Sequence, residues 1–373
     1  MRLSAKVSAR LRLGFAGLLL LFVIAGSGRL GAQQTTSGPW QIQSSNTTAG
    51  LRGIHAVNDE VAWASGTDGT VLRTTDGGQH WQRCATPPNA ATLDFRGVWA
   101  WDVNTAMVMS SGPGALSRVY KTTDGCARWK LLFTDPDNEG FWDAIAFSDT
   151  NNGFLLGDPV KGRFTLFLTL NGGKSWSRVN AQSLSTGGRS LGVFAASNSA
   201  MILRDTHSLI FGTSGPGGPW LYTSELNCTM LMSTQECLRG LQFERRRLPM
   251  VGDSSTSGIF ALAQSGANLV AVGGDYTKPN NTHGSAAAVT AWNGLPPVWI
   301  PATLAPHGYR STVAWDQTDD AWITAGPNGS DVSYDGKTWQ PLDDGNWNAL
   351  SLPWVVGPNG RIARLSPDRL PGH

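Results

Sequence analysis

Six charged residues are spaced so that they could do chemistry. Arg52, Arg96 and Arg310 stand at one place in three related phrases, just before a small residue in a short apolar run. The phrases are Leu51-Arg52-Gly53-Ile54-His55-Ala56, Phe95-Arg96-Gly97-Val98-Trp99-Ala100 and Tyr309-Arg310-Ser311-Thr312-Val313-Ala314. Guanidinium forks brought together this way would suit carboxylates, phosphates or an acidic peptide. The competing role for each arginine is to bond loop carbonyls or pair with an aspartate. The other three are Asp143, Asp158 and Asp275. Asp143 replaces the small residue in Phe141-Trp142-Asp143-Ala144-Ile145-Ala146, and Asp158 precedes Pro159. Two carboxylates about 5–10 Å apart would serve glycoside hydrolysis. Turn and rim structure is the competing role.

Other catalytic constellations are missing. The chain has no Gly-x-Ser-x-Gly elbow, His-Glu-x-x-His pair, Walker loop or dinucleotide fingerprint. Its histidines, His55, His80, His207, His283, His307 and His373, are scattered. His55 is expected on an inner strand as a satisfied core residue. The sequence therefore implies neither a cofactor nor a metal.

The elements that must position these residues show in a repeated phrase. Thr74-Thr75-Asp76-Gly77-Gly78-Gln79-His80-Trp81 returns as Thr122-Thr123-Asp124-Gly125-Cys126-Ala127-Arg128-Trp129 and as Thr169-Leu170-Asn171-Gly172-Gly173-Lys174-Ser175-Trp176. A shortened copy is Ser333-Tyr334-Asp335-Gly336-Lys337-Thr338-Trp339. Asp-Gly and Asn-Gly suit tight turns, and the Asp or Asn side chain can accept bonds from nearby backbone N–H groups. Trp81, Trp129, Trp176 and Trp339 each supply a large apolar body to pack between neighbouring sheets. Asp76, Asp124, Asn171 and Asp335, one per unit at outer turns, cannot converge on one substrate and are expected to be structural.

Asp76 and Asp124 are 48 residues apart, and Asp124 and Asn171 are 47 apart. Four-stranded propeller blades run to about 40–50 residues. The apolar phrase recurs at Ser190–Ala195, Thr256–Ala261 and Trp347–Leu352 as well, which makes seven starts. The expectation is an all-β, seven-bladed β-propeller of four-stranded antiparallel blades. Trp40-Gln41-Ile42-Gln43 precedes the first start, and the last unit is short, so the N-terminal strand is expected to close the last blade.

Composition agrees. Gly is 45 of 373 residues and helical periodicity is absent, an all-β pattern. A net charge of +2 and the lack of a basic stripe with interleaved aromatics argue against nucleic acid. Arg245-Arg246-Arg247 is expected in a solvated loop. Residues 1–32 read as a signal peptide. Arg2, Lys6, Arg10 and Arg12 precede the apolar run Leu13–Ala25, and Leu30-Gly31-Ala32 resembles a cleavage site. Residues 33–38 are then a short linker and 39–373 one propeller, with no stable membrane span after cleavage. The 341 residues from Gln33 onward divide into units of about 49. Disulfides fit an exported chain. Of the three possible pairings, Cys84–Cys126 and Cys228–Cys237 are favoured, the second inside an ornamented insertion at about 223–250.

On the four turn phrases, with Gly157-Asp158-Pro159 and Gly273-Gly274-Asp275-Tyr276, the chain resembles bacterial exported proteins of the photosystem II stability/assembly factor-like group, which carry Asp-box (BNR-type) repeats. The likeness runs from about Trp40 to Leu365 and implies a seven-bladed propeller. The phrase departs from its pattern at Cys126 and Asn171, and units four and five lack it. Such repeats mark a fold and not an activity, and they occur in sialidases too. A sialidase would need an Arg-Ile-Pro phrase, absent here, and a tyrosine nucleophile that none of the five tyrosines announces.

The reading that follows is a non-enzymatic exported propeller, periplasmic or secreted. It would act as a binding or assembly scaffold for another protein of the cell envelope. The alternative is a glycan-directed hydrolase or lectin using Asp143, Asp158 or Asp275.

Overall fold

The computed structural model describes residues 38–204, 209–225, 241–290, 297–366 and 370–371. The expected signal peptide, most of the expected linker, and the expected Cys228–Cys237 pair lie outside the described residues.

Seven four-stranded antiparallel sheets form the expected propeller. Blades 1 to 6 occupy residues 51–83, 95–134, 142–178, 201–247, 257–301 and 312–343. Blade 7 takes its three inner strands from 349–365 and its outer strand, Trp40–Gln43, from the other end of the chain. That strand pairs with Ile362–Leu365 in the register Trp40↔Leu365 to Gln43↔Ile362. Trp40 also donates from Nε1 to Ser330 Oγ at 2.9 Å in blade 6, so the closing strand is held by two blades.

Period-two alternation gives each blade two apolar faces. Met107 and Met109 pack toward blade 3, while Ala106 and Val108 on the same strand pack toward blade 1. Leu209 and Phe211 face blade 3, and Ile210 faces blade 5. Among the described residues, each junction between adjacent blades holds one apolar cluster.

The turn phrases join these junctions. In each of the first three copies, the Thr hydroxyl bonds the Asp or Asn Oδ1 two residues on and accepts the backbone N–H four residues on. The tryptophan then reaches the preceding blade. Trp81 meets Trp354 of blade 7 edge-on at 6.2 Å, and Trp129 meets Trp63 of blade 1 at 6.3 Å. Trp176 stacks on Phe133 of blade 2, and Trp339 shares a cluster with Val270 and Ala288 of blade 5. The Cys84–Cys126 disulfide adds a covalent strap between blades 1 and 2.

Three details differ from expectation. Ser190–Ala195 is not the inner strand of blade 4; Met201–Leu203 is. The displaced segment instead enters the central channel. Arg245–Arg247 lies in the strand Gln242–Arg247 and not in a loop. The strands Trp220–Glu225 and Gln242–Arg247 also take in both ends of the expected 223–250 insertion, because they pair residue by residue as the outer half of blade 4.

Cys126 stands where two other copies have a second glycine, and it adopts φ +69°. That left-handed geometry costs an L-residue about 1–2 kcal/mol. Unlinking the strap in a Cys84→Ala/Cys126→Ala protein should cost about 2–4 kcal/mol. Cys84→Ala/Cys126→Gly should recover about 1 kcal/mol of it, because glycine accepts the turn. Urea unfolding of the two variants checks this, and equal stabilities would contradict it.

Candidate functional site

In an up-and-down blade, the connections from first to second strand and from third to fourth share one face of the disc. The other connections share the opposite face. The turn phrases therefore lie with the first hairpins, and Gly77, Gly125 and Gly172 donate to Glu60, Asn104 and Asn151 there. The starts of the inner strands, with Arg52 and Arg96, open on the opposite face.

A β-bulge aims these arginines. The ladder skips a residue between Leu51 and Gly53, and again between Phe95 and Gly97, so Arg52 and Arg96 are each the extra residue. A bulge re-aims a side chain at the rim of a sheet. Blade 3 skips between Trp142 and Ala144, which gives Asp143 the same structural place. Phe260 is the extra residue in blade 5.

The displaced segment closes the channel beneath them. Val193 N–H donates to Asp158 Oδ1 at 2.9 Å, and Ala195 carbonyl accepts from Arg96 at 3.3 Å. Ser197 Oγ donates to Ser311 carbonyl at 2.7 Å. Asn198 exchanges bonds with the backbone of Ile145, accepting at 2.8 Å and donating at 3.0 Å. Phe194 stacks on Phe260 at 3.7 Å. A segment tied at once to blades 2, 3, 5 and 6 must lie on the axis. Gly97 makes room for it, since a Cβ there would come 2.9 Å from Asn198 Oδ1.

Above this plug is an open cleft of about 390 Å³. One wall holds Arg52 and Arg96; the floor and opposite wall hold Phe194, Phe260, Tyr276 and Tyr309. The arginine side chains are 32% and 27% exposed and share a single carboxylate. Asp94 Oδ2 lies 2.7 Å from Arg96 Nε and 3.8 Å from Arg52 Nη2. Desolvation and the neighbouring Arg96 charge lower the Arg52 pKa, partly offset by Asp94. The Arg52 Nε–H is buried with no acceptor among the described residues. Tyr276, 48% exposed, comes from the long connection 276–284.

Arg310 does not join them. It is fully buried and donates from Nε to Asp331 at 2.5 Å and from Nη1 to Asn328 and Tyr309. His307 Nδ1 meets the same aspartate at 2.7 Å, and its Nε2 meets Asn328 carbonyl at 2.7 Å. The expected rim of three arginines is therefore two, because blade 6 has no bulge at this point and a buried carboxylate captures the third.

Asp143 is also fully buried, and neither carboxylate oxygen has a hydrogen-bond partner among the described residues. Desolvation, then the charge of Asp158, push it well above the ordinary carboxylate range against the opposing pull of Arg96. Asp158 is half-buried and also raised by desolvation, opposed by the Val193 N–H. The plug thus covers the blade 3 side of the channel. Asp275 is turned into its own loop, where Thr277 donates twice to Oδ1 and Lys278 lies 3.4 Å from Oδ2.

The turn residues are spent as acceptors. Asp76 is held at about 2, chiefly by the His80 N–H, and Asp124 at about 2, chiefly by the Arg128 side chain. Asn171 accepts from the Ser175 N–H, and Asp335 from those of Lys337 and Thr338. His55 packs at a tilt against Trp99, with ring centroids 4.5 Å apart, and burial lowers its pKa to about 4.

Asp94 and the aromatic wall escape a sequence reading. Asp94 stands two residues before Arg96, a usable hint. Phe194 and Phe260 occupy matching places in two apolar phrases, but nothing in the sequence says that one phrase leaves its blade.

No family model matches the chain, and no curated protein matches its sequence. Solved structures do match its fold. YCF48 bound to D1 peptide aligns at 17% identity over 88% of this chain and 97% of that one, with a TM-score of 0.60. YCF48 from Cyanidioschyzon merolae aligns at 18% identity over 88% and 99%, with a TM-score of 0.59. The Pan2 WD40 domain of Neurospora crassa aligns at 11% identity over 86% and 90%, with a TM-score of 0.51. These likenesses are of fold.

Asp143 yields a pH test. Its folded pKa lies above the unfolded value near 4, so its contribution to stability is full below that value and is lost as pH rises toward the folded pKa. Asp143→Asn removes this slope. Relative to that variant, the wild type should lose about 1.4 kcal/mol per pH unit across the window. Parallel unfolding curves at every pH from 4 to 7 would contradict the assignment.

Proposed function

We propose that this protein is a non-enzymatic binding propeller whose cleft receives an acidic segment of another protein. The carrying observation is that Arg52 and Arg96, both half-exposed, share one carboxylate and face an aromatic wall in an open cleft. Two guanidiniums with one counter-ion leave a positive site, and a ligand carboxylate would complete it in charge-assisted bonds. The aromatic wall would take the apolar body of a neighbouring ligand residue. Support also comes from a fold neighbour, YCF48, whose structure is of a complex with a D1 peptide.

Glycoside hydrolysis is the weaker reading. It needs two carboxylates open to one substrate, and Asp143 is fully buried while Asp275 is turned into its loop. With the leader read from residues 1–32, the site of action we propose is the cell envelope or the medium, and the partner is an envelope protein.

Fluorescence anisotropy with a labelled Glu-Phe-Glu-Gly peptide tests the proposal. Loss of a charged hydrogen bond costs about 1.5–3 kcal/mol. Arg52→Gln/Arg96→Gln should therefore weaken binding by about tenfold or more, with thermal stability little changed. Asp94→Asn should tighten binding, because it removes the internal competitor. No binding by the wild type, or equal binding by the double arginine variant, would contradict the proposal.

A further inference from the structure

At the outer edge of blade 4, on the same face as the cleft, three arginines converge without a counter-ion among the described residues. Arg245 and Arg247 alternate onto one side of the strand Gln242–Arg247, away from Glu244 and Arg246. Arg189 arrives from the connection between blades 3 and 4. Two of them share the Trp220 ring, with Arg189 Cζ 5.0 Å and Arg245 Cζ 5.5 Å from its centroid. Stacking on a shared indole fixes where these long side chains stand.

Their forks meet over bare backbone. A Cβ on Gly187 would lie 2.8 Å from Nη1 of both Arg189 and Arg245, so two like charges approach one point that glycine leaves unfilled. The Arg247 guanidinium similarly lies over Gly218. All three arginines are exposed, and among the described residues none of the ion pairs includes them. Among the described residues, the hydrogen bond of the Arg245 side chain goes to a carbonyl, that of Ser185 at 3.4 Å. Convergent cations without carboxylates are complementary to an anionic partner. With its body packed against the core and two guanidiniums over its ring, Trp220 is not free to stack on a nucleobase, which disfavours nucleic acid. Among the described residues, none of the large exposed apolar side chains belongs to this patch, which disfavours membrane insertion.

Patch and cleft are neighbours along the chain. One stretch of chain leads from Arg189 to Phe194, which floors the cleft. Five residues reach at most about 18 Å. Resting on the cleft reading above, we infer that Arg189, Arg245 and Arg247 form a second subsite for the same acidic polypeptide, taking a cluster of carboxylates about five residues from the one held by Arg52 and Arg96. Joining two weak contacts on one ligand makes the second intramolecular and raises affinity without a new cleft contact.

Two labelled probes separate the subsites: Glu-Phe-Glu-Gly, and the same peptide extended by Ser-Gly-Ser-Gly-Glu-Glu-Glu-Glu. The wild type should bind the long probe at least about tenfold more tightly. Arg189→Gln/Arg245→Gln/Arg247→Gln should abolish that gain and leave the short probe unchanged. Circular dichroism and melting checks keep misfolding apart from lost binding. Equal wild-type affinity for both probes, with each still dependent on Arg52 and Arg96, would overturn the second subsite alone. Failure of both probes to bind would overturn the cleft and the subsite together. Arginine-dependent capture by phosphatidylglycerol vesicles, without any long-probe gain, would assign the patch to a lipid surface and overturn the inference.

Discussion

The structure depends on burying both faces of every blade. A four-stranded sheet with two apolar faces has no stable place in water, and only a closed ring gives each face a neighbour. Closure falls to Trp40–Gln43, which pairs with Ile362–Leu365 and places Trp40 against Trp347 at 6.1 Å. Gln43 then ties the seam to blade 1, its Oε1 accepting from the indoles of Trp81 and Trp354 at 3.0 and 3.1 Å. The turn phrases repeat the same task elsewhere. Each locks its loop with a hydroxyl and a carboxylate or amide, then sends a tryptophan into the blade before it.

This division of labour separates structure from recognition. The face with the turn phrases is occupied by internal hydrogen bonds, which hold Asp76 and Asp124 fully ionised. On the other face, bulges turn single residues out of the inner strands, the connection between blades 3 and 4 contributes the plug, and a long loop of blade 5 contributes Tyr276. The plug makes the channel a shallow cleft and leaves one side cationic. Asp143 and Asp158 belong to blade 3, beside Arg96 in blade 2, and the plug covers them. With it in place, Asp143 is sealed in and Asp158 is bonded to the plug backbone.

The ring was legible because its signals are local and repeated. Asp-Gly turns, tryptophans at fixed offset and seven apolar phrases set the blade count, and the short last unit pointed to the closing strand. The site was legible only in part. Arg52 and Arg96 are where the aligned phrases put them, but Arg310 is drawn inward by Asp331, 21 residues away in sequence. Sequence alignment matches Asp143 with Gly53, while the ladder matches it with Arg52, because a bulge inserts a residue without marking it. Ser190–Ala195 carries the pattern of an inner strand, and its departure into the channel rests on contacts with four other blades. The arginine run at 245–247 gained meaning only from Trp220 and Arg189, which no spacing connects to it.

Amide hydrogen exchange, with and without the Glu-Phe-Glu-Gly peptide, addresses the central claim that recognition belongs to the plugged face. Bound peptide should slow exchange in 194–199 and 309–311 and leave the turn amides at 77–80 and 125–128 unchanged. Protection confined to those turns, with none over the plug, would contradict the account.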